Sequence, residues 1–576
     1  MSFFAGACRL SAQMLVALVL AMFNSSILLA NTVTISNTPP SVMTRVAPNI
    51  VVTFDDSGSM NSTSIPDSMD SSYQQPYYYS SSYNPLYFNP DITYTVPPPP
   101  PGGTMITPTY TNAPRDGYCA SLVSAGCWSP NKGSYLTPAY QNLSTSFYTG
   151  YLSNVYAGNS PCPRDANEPG GWYNTNNGVC TQLDIPASLR GTVTATNTVA
   201  LQPQSGSCFR SIFGSDCPAE GTFTNNGTTT TTTISCGFFI CSYTTTGTTT
   251  TTTTTTDPGG FYYSCSSTSN CSYHSLTTAS DAVKANFAIW YSYYRTRNLM
   301  ARGGVGRVFG SLGDSAVRVG WQTLQTQATT TAYNTGAGQY QGLAYGPLAL
   351  LGSSAPSGIL PLVNASTGCS SSTINSDSCW RSKFMNWVYG VPASGSTPTR
   401  VALQTVAKFY GQKLSATSGT TRSAAPLWND STSTPTELAC RKNFNMLVTD
   451  GYWNADAPST PAVQDSASTI LPDNTAYTTG QETSAVYWNE SSSFPTSLAN
   501  IAFSGWATNL RPDLLPQNNV PAYYPDLTTG VTASTASVSS TSPGSNREVY
   551  FNPANDPATW QHISQYMVTL GATGTL

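Results

Sequence analysis

Residues 49–60 read Asn49-Ile50-Val51-Val52-Thr53-Phe54-Asp55-Asp56-Ser57-Gly58-Ser59-Met60. The first half is β-branched and aromatic, follows Pro48 and ends in a Gly/Ser turn. That is the pattern of a short buried strand. The turn carries Asp55-x-Ser57-x-Ser59, a carboxylate and two hydroxyls within five positions. All are hard oxygen ligands of the kind Mg²⁺ takes, six at short range with some waters kept. Taken alone, the triplet also suits a helix cap or an ordinary turn.

Other strands and helices follow the same rhythm across the second half of the chain. Ser280 is placed to cap a helix, and Val283, Phe287, Trp290, Tyr294, Ala301, Val305 and Val308 recur at helical spacing as one apolar stripe, read as core. Ala316–Trp321 reads as a strand, Trp380–Val388 as a helix, and a further helix begins near Pro398, a residue suited to a first helical turn. Asn443–Thr449 reads as a second apolar strand ending at Asp450-Gly451, residues 497–510 as a helix, and Tyr566–Leu570 as a last strand. Strands alternating with helices predict an α/β fold with a doubly wound, mostly parallel sheet. Ligands of such sheets bind at the carboxyl ends of the strands. Asp55, Thr397 at a helix start, and Asp450 at a strand end then fall on one edge of one sheet.

Composition bounds the rest. Only 9% of the 576 residues are charged, against roughly 25% in ordinary soluble domains. The surface is filled by Tyr, Ser, Thr, Asn and Gly. A formal charge of −4 argues against nucleic-acid binding. The two histidines, His274 and His562, lie near no nucleophile motif. The N-terminus carries Arg9, an apolar run over Met14–Met22 and Ser26-Ile-Leu-Leu-Ala30, which reads as a secretory signal over residues 1–30; an uncleaved anchor is the alternative. Beyond Cys8 the cysteines fall in close pairs, Cys119/Cys127, Cys162/Cys180, Cys208/Cys217, Cys236/Cys241, Cys265/Cys271 and Cys369/Cys379, with Cys440 left over. Spacing does not fix connectivity. The count fits an oxidising compartment, and the lack of Cys-x-x-Cys and of histidine disfavours zinc.

Residues 61–275 read as a disulfide- and Thr-rich insertion, partly β, within a domain formed by 49–60 and 276–576. Inside it, Thr228–Thr233 and Thr248–Thr256 flank Cys236-Gly-Phe-Phe-Ile-Cys241. Two Thr-rich arms about a Cys-bounded tip predict a long hairpin. A disordered or glycosylated stalk fits the composition equally.

Asp55-x-Ser57-x-Ser59, then Thr397, then Asp450-Gly451 resembles the metal-ion-dependent adhesion site of a von Willebrand factor A domain. The resemblance implies that Ser57, Ser59 and Thr397 are hydroxyl ligands of a divalent cation, Mg²⁺ before Ca²⁺ or Mn²⁺. Asp55 and Asp450 would supply charge, directly or through water, and one position would stay open for an acidic group on a partner. Asp56 lies outside the ligand pattern and is expected either to support the ligands from behind or to be merely solvated. Tyr83–Tyr94, with its Tyr-Asn-Pro element, Asn286–Arg297, Asn443–Asn454, Asn509–Leu514 and Asp556–His562 resemble segments of the PilC/PilY family of type IV pilus biogenesis and tip-adhesin proteins. That resemblance implies a non-enzymatic assembly and adhesion protein of the periplasm, outer membrane or pilus tip. Its partners would be minor pilins and pilus assembly proteins, with a host-surface or other protein carboxylate as ligand. Members of the family continue into a large β-propeller; the quoted segments run out near Leu576, so the expectation is an A domain without the propeller and C-terminally incomplete at one edge of its sheet.

Two other function classes compete. A Mg²⁺-dependent phosphatase would use a strand-end aspartate, but by resemblance to that class a second acid is wanted where Ser57 stands. A serine hydrolase would want Gly-x-Ser-x-Gly, which neither Ser57 nor Ser59 satisfies. Gly304-x-Gly306 precedes a strand rather than following one, so it is no dinucleotide loop. A secreted A-domain binding protein unrelated to pili is the third reading.

Overall fold

The computed structural model describes residues 46–118, 187–324, 358–363, 379–414, 425–463, 469–477, 495–523 and 556–571, apart from isolated positions within them, and short stretches between 128 and 182. In chain order the elements used below are β1 (Asn49–Phe54), β2 (Thr192–Ser211), β3 (Gly221–Asn225), β4 (Thr228–Cys236), β5 (Ile240–Thr256), β6 (Phe261–Ser267), β7 (Asn270–Ser275), α1 (Asp281–Tyr293), α2 (Arg297–Ser311), β8 (Arg318–Thr323), β9 (Leu360–Pro361), α3 (Trp380–Gly390), α4 (Thr399–Tyr410), β10 (Asn443–Thr449), α5 (Leu498–Ala507) and β11 (Ser564–Thr569).

β1 is the middle strand of a five-stranded sheet ordered β9-β8-β1-β10-β11. It runs parallel to β8 and β10, and β10 runs parallel to β11; only the short edge strand β9 is antiparallel. Alternation along β1 sends Val52 and Phe54 to one face and Val51 to the other. Val52 and Phe54 pack with Val305 and Phe309 of α2 and with Phe384 and Trp387 of α3. Val51 packs with Val406 and Phe409 of α4, and Leu447 of β10 with Leu403 of α4 and Ile501 of α5. The mixed α/β class is as expected.

What pins the strands in register is polar. On the α4 face, Gln322 Nε2 donates to Thr53 Oγ1 at 3.1 Å, Thr53 Oγ1 to Asn445 Oδ1 at 2.8 Å, and Asn445 Nδ2 to Gln565 Oε1 at 2.9 Å. A second ladder runs from Arg318 Nη1 to Asn49 Oδ1 at 2.7 Å, from Asn49 Nδ2 to Asn443 Oδ1 at 2.8 Å, and from Asn443 Nδ2 to Gln561 Oε1 at 2.8 Å. Asn49, Thr53 and Asn445 are fully buried. A one-residue slip would turn these groups to the opposite face and leave them unpaired, at a cost of about 1–3 kcal/mol each. The strand read as simply apolar at Asn443–Thr449 therefore carries two register pins.

Several boundaries differ from the sequence reading. The apolar stripe from Val283 to Val308 is two helices rather than one. Thr296 caps the second, its Oγ1 accepting from the Leu299 amide at 3.2 Å. Val308 is 55% exposed and lies off the core. The strand expected at Ala316–Trp321 starts and ends two residues later, and the helix expected to reach residue 510 stops at Ala507.

The Thr tracts form β4 and β5 of one antiparallel sheet, with Cys236 and Cys241 bonded at the tip as the hairpin reading expects. Thr is β-branched and its hydroxyls bond across strands: Thr232 and Thr245 lie 2.9 Å apart, Thr198 and Thr250 3.0 Å. A partner strand not foreseen, β2, pairs with β5 from Thr192/Thr256 to Phe209/Ile240, with a bulge at Thr245/Gly247. The Cys208–Cys217 and Cys265–Cys271 bonds also form, and Cys440 is free. The Cys119/Cys127 and Cys162/Cys180 pairings, the partner of Cys379 and the signal over residues 1–30 lie outside the described residues. Among the described residues no helix is long and apolar enough to cross a membrane.

Candidate metal centre

β1 and β10 lie side by side with Phe54 opposite Val448, so Asp55 and Asp450 follow the ends of adjacent parallel strands. The Asp55 amide continues the ladder by donating to the Val448 carbonyl at 2.8 Å. Beyond Asp55 the chain turns into a 3₁₀ helix, Gly58–Asn61, which brings Ser57 and Ser59 back over the strand ends.

Four of the five residues anticipated as ligands meet there. Ser57 and Ser59 hydroxyls are 3.0 Å apart, and Ser59 Oγ donates to Asp450 Oδ1 at 2.9 Å. The Ser57 amide donates to Asp55 Oδ1 at 2.8 Å, and Thr449 Oγ1 to Asp55 Oδ2 at 2.6 Å. Thr397, the fifth, lies just before α4 and is tied to the loop that leaves Asp450. Its amide donates to Asn454 Oδ1 at 2.8 Å, and the Asn454 amide donates to its carbonyl at 3.0 Å. Two residues on, Asp456 receives Arg400 of the same helix at 2.7 Å. The helix start is thereby held beside the Asp450 loop. Asp56 is buried rather than solvated.

Asp55 and Asp450 are at most 1% exposed. Burial pushes the Asp55 carboxyl up against hydrogen bonds that pull it down. Burial, and then the charge of Asp55, push Asp450 up to about 6. Two carboxylates in one dry place each disfavour ionisation of the other. Arg297, at the start of α2, offsets part of this: Nη1 lies 3.0 Å from Asp450 Oδ2 and 2.7 Å from Asp67, and Nε donates to the Ser64 carbonyl at 2.8 Å. The residues quoted from the sequence did not include Arg297, Thr449 or Asn454 as parts of the site. Thr449 stood in the Thr-Asp-Gly segment, whereas Arg297 carried no local signal.

The donor set is two carboxylates and a group of hydroxyls, with no soft ligand. Among the described residues no three His, Cys, Asp or Glu side chains cluster, so a centre here rests on the hydroxyls. That chemistry fits a hard cation that keeps waters, Mg²⁺ best. A dication would also supply the charge that two buried carboxylates and one guanidinium lack.

The type IV pilus biogenesis factor PilY1 of Pseudomonas aeruginosa strain PAK is 27% identical to the chain over 549 residues, which are 95% of this chain and 34% of that protein. The PilY1 of strain UCBPP-PA14 is 25% identical over 562 residues, 96% of this chain and 34% of that protein. The chain thus spans about a third of the length of the curated relatives it matches. No family model and no solved structure matches. The resemblance read from the Tyr-Asn-Pro and Thr-Asp-Gly-Tyr-Trp-Asn segments is borne out by these relatives.

Proposed function

We propose, from the premise that the chain belongs to the PilC/PilY family, that it serves type IV pilus biogenesis as a cation-dependent docking protein rather than an enzyme. The β9-β8-β1-β10-β11 sheet, with apolar contacts on both faces and candidate ligands at its strand ends, supports reading it as a von Willebrand factor A-like domain. Asp55, Ser57, Ser59, Thr397 and Asp450 would hold a divalent cation, and the cation would supply a Lewis-acidic positive charge at the surface of the loop cluster. The protein would act outside the cytoplasm, at the outer membrane or pilus tip. Its partners would be minor pilins and assembly proteins that present a carboxylate.

The observation that carries this reading is a charge count. Asp55 and Asp450 contribute two negative charges, and the one guanidinium beside them, Arg297, is shared between Asp450 at 3.0 Å and Asp67 at 2.7 Å. A bound dication would neutralise this excess of negative charge, so that an anionic partner group meets a cation instead of bare carboxylates. A phosphatase reading lacks its second acid, because Ser57 stands in that place and its hydroxyl is turned to Ser59. The test is binding of purified minor pilins to the protein in Mg²⁺ and in EDTA, with Asp55→Ala and Thr397→Ala alongside. Binding is expected in Mg²⁺ alone and in neither variant, with the fold retained by circular dichroism. Undiminished binding in EDTA would sink the metal role, and phosphate-ester hydrolysis that Asp55→Ala abolishes would sink the non-enzymatic one.

A further inference from the structure

Away from the strand ends, residues 80–91 lie against the β6–β7 hairpin and enclose an open cleft of about 400 Å³. That volume falls within the roughly 300–1,000 Å³ of small-ligand sites. Both walls are stiff. In the loop wall the Asn84 side chain is fully buried: Nδ2 donates to the carbonyls of Thr63 and Tyr78, and Oδ1 accepts from the Ile65 amide, all at 3.0 Å. The Tyr83-Asn84-Pro85 element is thus a staple that fixes the loop. In the hairpin wall the Cys265–Cys271 bond joins β6 to β7, and the Tyr262 ring stacks on His274 at 4.7 Å and 13°. The walls are fastened together where the Tyr87 hydroxyl donates to the Phe261 carbonyl at 2.8 Å. Phe88 packs edge-on to Tyr262.

The lining is polar and nearly uncharged: Ser81, Ser82 and Ser272 hydroxyls, the Asn89 amide, the Tyr262 phenol and one carboxylate, Asp91. No Lys or Arg is among the described lining residues. Burial and then the nearby Asp91 charge push the Tyr262 phenol up, and both residues line the cleft. Asn89 Oδ1 accepts from the Asp91 amide at 3.0 Å, which orders the turn that carries both side chains. A rigid mouth with an aromatic edge, hydroxyls, an amide and a lone acceptor carboxylate is complementary to vicinal hydroxyl groups. It repels phosphate, sulfate and uronate, and offers too little apolar surface for a lipid.

We infer that this cleft binds a neutral oligosaccharide, with Asp91 and Asn89 taking sugar hydroxyls and Tyr262 flanking the ring. The site is separate from the candidate metal centre and needs no cation. The experiment measures binding of maltohexaose, cellohexaose, chitohexaose and mannohexaose to the full chain by saturation-transfer NMR and titration, with hexagalacturonate as the acidic control. At least one neutral glycan is expected to bind with unchanged affinity in EDTA and in Asp55→Ala. Its affinity should fall tenfold or more in Asp91→Asn and in Tyr262→Ala. Asp91 is exposed and its replacement isosteric, so Asp91→Asn keeps the fold. The inference is overturned by absence of neutral-glycan binding at millimolar concentration, by preference for hexagalacturonate, or by binding that Asp91→Asn leaves intact.

Discussion

Replacing Arg297 by Met separates the charge of the candidate metal centre from its shape. Met fills most of the same channel and removes the guanidinium that sits 3.0 Å from Asp450, in a pair whose side chains are 2% and 0% exposed. Breaking a buried pair by deleting one partner costs about 3–5 kcal/mol. In EDTA the variant should therefore melt well below the natural protein, by roughly 10 °C at about 2–4 °C per kcal/mol. Mg²⁺ reverses the ordering of effects. In the natural protein a dication at about 100 times its Kd stabilises by about 2.7 kcal/mol. In the variant it meets Asp55, Asp450 and Asp67 with no guanidinium among them, and its affinity should rise at least tenfold, adding about 1.4 kcal/mol. The assay is thermal unfolding of both proteins in EDTA and in a Mg²⁺ series. The Mg²⁺-induced rise in Tm should be larger in Arg297→Met by about 3–6 °C. An equal or smaller rise, with the natural protein responding, refutes the electrostatic account. No response in the natural protein refutes the metal centre itself.

Asp450 makes the cation-free protein pH-sensitive in a defined direction. Its folded carboxyl is pushed up to about 6, so its contribution is fully present below about pH 4 and is lost as pH rises through 6. Urea midpoints in EDTA should fall over that window by the equivalent of about 3 kcal/mol; Mg²⁺ should flatten the fall and bind more weakly below pH 6, and a cation-free profile flat from pH 4 to 7 would contradict this. Asn445→Ala should cost about 1–3 kcal/mol by leaving the buried Thr53 hydroxyl without its acceptor, read as a lower urea midpoint with Mg²⁺ affinity unchanged. Asp257→Ala should speed amide exchange across residues 257–277 and leave the candidate metal centre untouched. Asp257 is fully buried and accepts from Gly259, Tyr273 and Thr277 at 2.9–3.0 Å and from Ser275. Exchange that stays slow would show that the hairpin root is held by its packing instead.

The parts of the molecule legible in its sequence are those decided locally. β1 is a β-branched and aromatic run between Pro48 and a Gly/Ser turn, β10 a largely apolar run ending at Asp450-Gly451, and both strands follow the quoted residues. The Cys236–Cys241 tip with its Thr arms fits a hairpin and a stalk equally in composition; the structure forms the hairpin, with register and disulfide in agreement. β2 is not legible, since its Gln202-Pro203-Gln204-Ser205-Gly206 segment reads as a loop; the bulge against Thr245/Gly247 is what lets a strand pass through it. The break between α1 and α2 escaped because a continuous apolar stripe outweighs one capping Thr when only periodicity is read. In the site, Asp55, Ser57, Ser59 and Asp450 were legible as a spaced pattern. Arg297 was not, because its part depends on α2 arriving over the strand ends, which no neighbouring residue signals.

The same arginine raises the strongest rival to a metal centre, which is that the Arg297–Asp450 pair is only a structural staple. This chain uses that device repeatedly. Arg302 meets Asp116 at 3.0 Å, Arg381 meets Asp314 at 2.9 Å, Arg400 meets Asp456 at 2.7 Å and Arg511 meets Glu437 at 2.7 Å, each joining segments far apart in sequence. A chain with 9% charged residues has placed many of its guanidiniums inside, where their planar forks fix geometry. In those staples every carboxylate meets a cation, Arg511 holding Asp513 at 3.1 Å as well as Glu437. At the strand ends the count fails: Asp450 shares Arg297 with Asp67, and Asp55 beside it meets no cation but is held by the Ser57 amide and the Thr449 hydroxyl, its carboxyl still pushed up. Asp257 is as deeply buried and also lacks a partner cation, yet it gathers three hydroxyls and an amide with no second carboxylate set against it. A staple needs each of its acids to meet a cation. The surplus acid, beside two hydroxyls at 3.0 Å from each other, is what a hard cation would answer and a staple would not require.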